Sequence, residues 1–80
     1  MRVKILISLK QGVLDPQGKA IEHSLHSLGY TEAQNVRVGK YVELEVDAPS
    51  SSAAELRIRE FCDKLLANPV IEDYRFEIEE

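Results

Sequence analysis

The sequence predicts an α+β fold: a two-layer sandwich with two helices on one face of a three-stranded sheet, in the order β-α-β-α-β. Three observations predict it. Residues 2–10, 36–46 and 74–79 each alternate apolar and polar side chains, the period of a strand with one buried face. The two intervening stretches carry helix-start chemistry and apolar spacings of three and four. At 80 residues, the chain has room for one domain, residues 1–80, and no second. A domain this small buries a limited share of its surface, so docking or oligomerisation adds needed stability.

The first strand sets Val3, Ile5, Ile7 and Leu9 against Arg2, Lys4, Ser8 and Lys10. Gly12 punctuates the loop that follows. Asp15 is placed to cap a helix by accepting a bond from a free N–H, and Pro16 suits the first helical position, where its missing N–H is no loss. Gly18 is unexpected in a first turn, where glycine costs about 1 kcal/mol against alanine. Something is therefore expected to pack against its backbone. The helix runs to about Leu28, with Ile21, Leu25 and Leu28 as its buried stripe, and Gly29 suits the left-handed position that ends a helix. Tyr30 then packs back on Leu25.

The middle segment has its apolar residues, Val36, Val38, Val42, Leu44 and Val46, all at even positions, with Gly39-Lys40 between them. A two-residue hairpin there would turn Val42, Leu44 and Val46 to the wrong face, since a one-residue slip inverts every side chain. A three-residue loop or a bulge keeps the parity, but Gly39 is at the wrong end of such a loop. The simplest reading is one long strand from Asn35 to Val46, kinked at Gly39. It would reach about 40 Å at about 3.3 Å per residue, further than a core of this size covers. The overhang predicts pairing with a second copy of the chain, a homodimer. If the strand splits in two, the sheet becomes four-stranded and ferredoxin-like.

Ala48-Pro49-Ser50-Ser51 is a loop into the second helix, which is expected to start at Ser52 with Glu55 completing a capping box. Ala54, Ile58, Phe61, Cys62 and Leu65 form its buried stripe. Asn68-Pro69 ends it. In the last strand Tyr74, Phe76 and Ile78 point inward and Arg75, Glu77 and Glu79 outward, and Glu77, Glu79 and Glu80 form a solvated edge and tail.

Net charge is −4 and the 10 lysines and arginines are dispersed, which excludes a nucleic-acid binder. No run is long and apolar enough for a membrane span, and the single cysteine cannot form an internal disulfide, so a soluble cytoplasmic protein is expected. Cys62 lies on an apolar stripe, where a thiol has a raised pKa and is inert. His23 and His26 have a spacing that serves metals, but no third ligand accompanies them, and Glu22 pairs with His26 at i, i+4. Lys10-Gln11-Gly12 precedes a helix start, where backbone N–H groups bind anions. The pattern is not a Walker motif, and Asp15 already brings negative charge there. No catalytic, cofactor-binding or metal site follows. The candidate residues are instead those of an interface: Leu6, Arg37, Gly39, Lys40 and Tyr41, with Arg37 and Tyr41 beside Leu6 on the open sheet face, and then the loop residues Gly12, Asp15 and Gly18.

The stretch Lys10-Gln11-Gly12-Val13-Leu14-Asp15-Pro16-Gln17-Gly18-Lys19-Ala20 resembles the N-terminal motif of the PurS family, small subunits of phosphoribosylformylglycinamidine (FGAM) synthase. Leu25-His26-Ser27-Leu28-Gly29-Tyr30, the block Val36 to Leu44, and Leu65 to Tyr74 are similar to further blocks of that family, so the resemblance runs end to end. Asn35 departs from it where an acidic residue is expected. The resemblance implies a non-catalytic subunit of purine biosynthesis, carried as a dimer, that bridges a glutaminase subunit, PurQ, and a synthetase subunit, PurL, so that ammonia passes between them. The reaction it implies converts formylglycinamide ribonucleotide, ATP and glutamine to FGAM. ATP and Mg are used by the large subunit, and this chain needs no cofactor. Read from its residues alone, the chain also fits an ACT-like module that senses a small molecule, or an adaptor in an unrelated complex.

Overall fold

In the computed structural model, which describes residues 1–79, β1 (Arg2–Leu9) runs between β2 (Lys40–Glu45) and β3 (Glu72–Glu79) in an antiparallel sheet of order β2-β1-β3. Helix α1 spans Pro16–Ser27 and α2 spans Ser51–Phe61, with a π-helical turn, Cys62–Leu66, completing α2. The α+β class and the order β-α-β-α-β are those the sequence predicts. Glu80 lies outside the described residues.

The register explains the core. Val3, Ile5 and Ile7 of β1 pair with Leu44, Val42 and Lys40 on one side and with Ile78, Phe76 and Tyr74 on the other. With a strand on each flank, and Ala54 and Ile58 of α2 and Cys62 of the π-helical turn above them, these three β1 residues are buried. Arg59 of α2 lies over the Phe76 ring, 5.2 Å from its centroid, and the Tyr74 hydroxyl donates to Asp63 at 3.2 Å.

The two helices are placed differently because the strand connections differ. β2 and β3 both run antiparallel to β1, hence parallel to each other with β1 between them. A connection between parallel strands must cross the sheet, and that crossing lays α2 on it. β1 and β2 are antiparallel neighbours, so the chain leaves and returns at the same end of the sheet. Helix α1 is therefore an excursion, and the molecule is drawn out to 51 × 26 × 14 Å. The expectation that Ile21, Leu25 and Leu28 bury against the sheet is corrected accordingly: Gly18 is the one buried residue of α1, and Leu28 is 73% exposed.

The helix ends follow local chemistry. Gly29 (φ 99°) ends α1, with its N–H bonded to His26 O and the Tyr30 N–H to Leu25 O, the Schellman arrangement. The cap of helix α2, Ser50, lies two residues before the expected one. Ser50 keeps extended backbone and its Oγ accepts from Ala53 N at 3.2 Å, so Ser52 lies within the first turn and no capping box forms. The π-helical turn adds a residue to the helix period. Leu65 consequently faces solvent, and Leu66 and Ala67 pack at the core in its place.

The long middle strand is only partly a ladder strand. Pairing with β1 begins at Lys40, and no fourth strand forms among the described residues. Before it, Val36 and Val38 are half-buried and Arg37 and Gly39 exposed, so the alternation of β2 continues back to residue 36 without a neighbouring strand. It ends at Asn35, whose φ of 55° is one asparagine tolerates.

Candidate interaction site

The residues singled out in the sequence fall into two groups. Leu6, Gly39, Lys40 and Tyr41 line one cleft on the open sheet face, completed by Asp73 and Arg75. Gly12, Asp15 and Arg37 line a second, at the start of α1. Both exist because the segment 36–39 crosses the end of β1 and the start of α1.

At that crossing the Asp15 carboxylate sits almost entirely out of water, 5% exposed. Its Oδ1 accepts from Gly18 N at 2.9 Å, which is the helix cap, and its Oδ2 accepts from Val38 N at 2.7 Å. Glu22 accepts from Val36 N at 3.1 Å. Two carboxylates thus stand in for the neighbouring strand that segment 36–39 lacks. Gly18 is explained as well: a Cβ there would collide with the carbonyl oxygen of Val36 and come within 2.8 Å of Asp15 Oδ2. A Cβ on Gly39 would lie 2.5 Å from the carbonyl oxygen of Ile7. Gly12 serves the loop itself, with φ 86° in a turn closed by Val13 N on Lys10 O at 3.2 Å.

Gly18→Ala is expected to lower stability by about 1–3 kcal/mol, the usual range for an overpacked contact, because a backbone carbonyl is what must move. Urea denaturation measures it, and an alanine variant as stable as the parent would contradict the crossing.

Arg37 is not on the open face beside Leu6 and Tyr41, and that expectation is corrected. Its guanidinium donates to Val13 O at 3.0 Å and Lys10 O at 3.2 Å, and stands 3.9 Å from Asp15. The carbonyls of the 10–13 turn offer a planar donor a better set of acceptors than the sheet face does. Glu22, read from spacing as a partner of His26, bonds Val36 instead. His26 Nε2 contacts Ala33 O at 2.6 Å. These contacts join residues 7 to 27 positions apart, and no sequence spacing announces them. Arg75 and Asp73 were also missed as cleft residues: their outward parity was legible, but their position opposite Leu6 and Ser8 comes from the register.

The bonds from Val38 N and Gly18 N, with Arg37 nearby, hold the Asp15 carboxyl below its ordinary range. A carboxyl depressed in the folded state stabilises the fold above its unfolded pKa of about 3.9, and that contribution is lost as pH falls through the lower folded value. Melting temperatures of the protein and Asp15→Asn are therefore expected to differ at pH 7 and to converge as pH falls below about 4. A gap unchanged down to pH 2 would contradict this.

On the open face, Leu6 lies between Tyr41 and Arg75 across the three strands. Leu6 and Tyr41 are both exposed, 40% and 53%. The Tyr41 hydroxyl donates to Glu43 at 2.7 Å, Glu43 accepts from Arg2 at 3.0 Å, and Lys4 pairs with Glu79 at 2.8 Å. The bond to Glu43 raises the Tyr41 pKa and keeps the ring oriented. An apolar pair bordered by ion pairs is the pattern of an interface centre and rim. Cys62, by contrast, is buried, and desolvation followed by the Asp63 charge pushes its pKa up, the wrong direction for a nucleophile. Among the described residues no group of three His, Cys, Asp or Glu side chains is placed to hold a metal, and no helix is long and apolar enough to cross a membrane.

The family model PurS, phosphoribosylformylglycinamidine (FGAM) synthase, matches residues 2–80. The chain is 54% identical to the FGAM synthase subunit PurS of Bacillus subtilis (strain 168) over 79 residues, covering 99% of this chain and 93% of that protein. A solved structure of B. subtilis PurS superposes with a TM-score of 0.90 at 54% identity, covering 99% and 98% of the two chains. A chain of the PurLQS structure from Thermotoga maritima superposes with a TM-score of 0.83 at 32% identity, covering 96% of each.

Proposed function

This chain belongs to the PurS family, subunits of FGAM synthase, and from that premise we propose that it is the non-catalytic small subunit of that enzyme in purine biosynthesis. Its role is to join a PurQ-type glutaminase to a PurL-type synthetase, so that ammonia released from glutamine reaches the amide of formylglycinamide ribonucleotide. The observation that carries this reading is the end-to-end match to PurS, together with the likeness to a chain of a PurLQS structure. The family match takes the place of the ligand-sensing alternative.

The residues fit such a role. The one thiol is buried in the core. The exposed apolar pair Leu6–Tyr41 is the surface we assign to contact with the enzyme subunits, with the Asp15–Arg37 crossing holding segment 36–39 in place behind it. We assign the chain no cofactor, leave ATP and its metal ion to the synthetase, and read the protein as cytoplasmic and dimeric. Reconstituting the synthase from purified subunits, and measuring its rate with glutamine and with free ammonia as nitrogen source, tests the reading.

A further inference from the structure

The open face of the sheet carries a cation that no carboxylate among the described residues answers. Val3, Ile5 and Ile7 turn to the core, so Arg2, Lys4 and Leu6 face the open side, with Arg75 of β3 opposite Leu6. Arg2 lies 3.0 Å from Glu43, Lys4 2.8 Å from Glu79, and Lys10, just past β1, 2.9 Å from Asp73. The Arg75 side chain is exposed and has neither an ion pair nor a hydrogen bond among the described residues. Glu77, next along the same face of β3, forms no pair with it. Two clefts adjoin Arg75, and Leu6 and Tyr41 line both.

The first cleft, about 560 Å³, sets Lys40 and Arg75 against Asp73. The second, about 290 Å³, sets Lys4 and Arg75 against Glu77. Each has two cations to one carboxylate, on a chain whose net charge is −4. A positive centre on an acidic protein turns an acidic partner toward this face and away from the rest. We propose that Arg75 is the recognition point of the open face. A Glu or Asp carboxylate of an enzyme subunit pairs with its guanidinium, while apolar neighbours of that residue cover Leu6 and Tyr41. This rests on the contact surface assigned above and adds the chemistry of what it binds.

Other occupants fit less well. A guanidinium is planar and meets a carboxylate through two parallel bonds, which makes arginine beside exposed apolar side chains a recurrent interface anchor. A wholly apolar partner would cover Leu6 and Tyr41 and leave the Arg75 charge out of water without a counter-charge, which is strongly unfavourable. A second copy stacked centre to centre on the same face would bring two positive centres together. Glu77 stands beside the guanidinium without holding it, so it competes with the incoming carboxylate. That competition gives the two neighbouring residues opposite expected effects.

Titrating this chain into an equimolar mix of the purified synthetase and glutaminase tests it. Arg75→Gln is expected to raise the Kd about tenfold or more. Arg75→Lys, which keeps the charge without the planar fork, is expected to raise it less. Glu77→Gln is expected to tighten binding about two- to fivefold, because a competing carboxylate is gone. Arg57→Gln makes the same charge change on α2, where Arg57 pairs with Glu60, and is expected to leave the Kd unchanged. Equal Kd values for Arg75→Gln and Arg57→Gln overturn the carboxylate contact and leave the chain's place in the complex intact. Failure of the unmodified chain to bind the enzyme subunits overturns the contact surface itself. If Arg75→Gln changes the sedimenting mass of this chain alone, the occupant is a second copy and the assignment to an enzyme subunit falls.

Discussion

Leaving this chain out of the reconstituted synthase is expected to abolish synthesis from glutamine while synthesis from high free ammonia continues. The chemistry of each half-reaction is assigned to a separate subunit, and ammonia added in excess bypasses the coupling between them. A single substitution on the open face is expected to reproduce the pattern. Leu6→Glu places a charge at the centre of the exposed Leu6–Tyr41 pair, opposite Arg75 and clear of the core. Loss of an interface centre is expected to lower the glutamine-dependent rate by about tenfold or more. The ammonia-dependent rate is expected to stay near that of the unmodified complex. Arg37→Ala acts by a different route, through the turn and the Asp15 cap, and its effect on activity is expected to be accompanied by a lower melting temperature. Equal loss of both rates on omission would mean that this chain shapes the synthetase active site, and the bridging account would fall.

Ile58→Ala is expected to be among the most destabilising single truncations, as costly as truncating Ile5 or Ile7, and Leu28→Ala to have almost no effect. Ile58 is wholly buried between α2 and the central strand, and truncating such a residue costs about 2–5 kcal/mol. A domain of this size has only about 4–12 kcal/mol in total, so the variant should melt far earlier or fail to fold at ordinary temperature. Leu28 lies on the apolar stripe of α1, yet it is exposed, and surface changes of this kind stay within about 0.5 kcal/mol. Urea denaturation of the two variants side by side decides whether α1 contributes to the core. Comparable losses would mean that α1 folds back over the sheet.

That contrast shows where the sequence was legible. The cap at Asp15, the glycine ending α1 and the inward faces of β1 and β3 were all readable, because each depends on residues within a few positions of one another. Gly18 was readable in a weaker sense: its cost in a first turn announced a close neighbour without saying which. The structure supplies Val36. The Ser50 cap and the π-helical turn were not readable, since Ser50 and Ser52 are chemically alike and an inserted helical residue leaves no mark in the apolar spacing until Leu65 is found in solvent.

By itself the sequence determined the elements, their order and the parity of the middle strand, since period-two alternation and capping are local energies that do not depend on what lies across the sheet. Only the tertiary structure decided which strands are neighbours. That choice sets everything at the candidate site. Placing β2 beside β1 makes α1 an excursion, turns Arg37 onto the 10–13 turn, gives Asp15 and Glu22 the place of a missing strand, and leaves the odd residues of β2 facing outward. Strand adjacency is settled by burial of side chains tens of residues apart, Ile5 against Val42, Phe76 and Ile58, and no pattern within one segment encodes it.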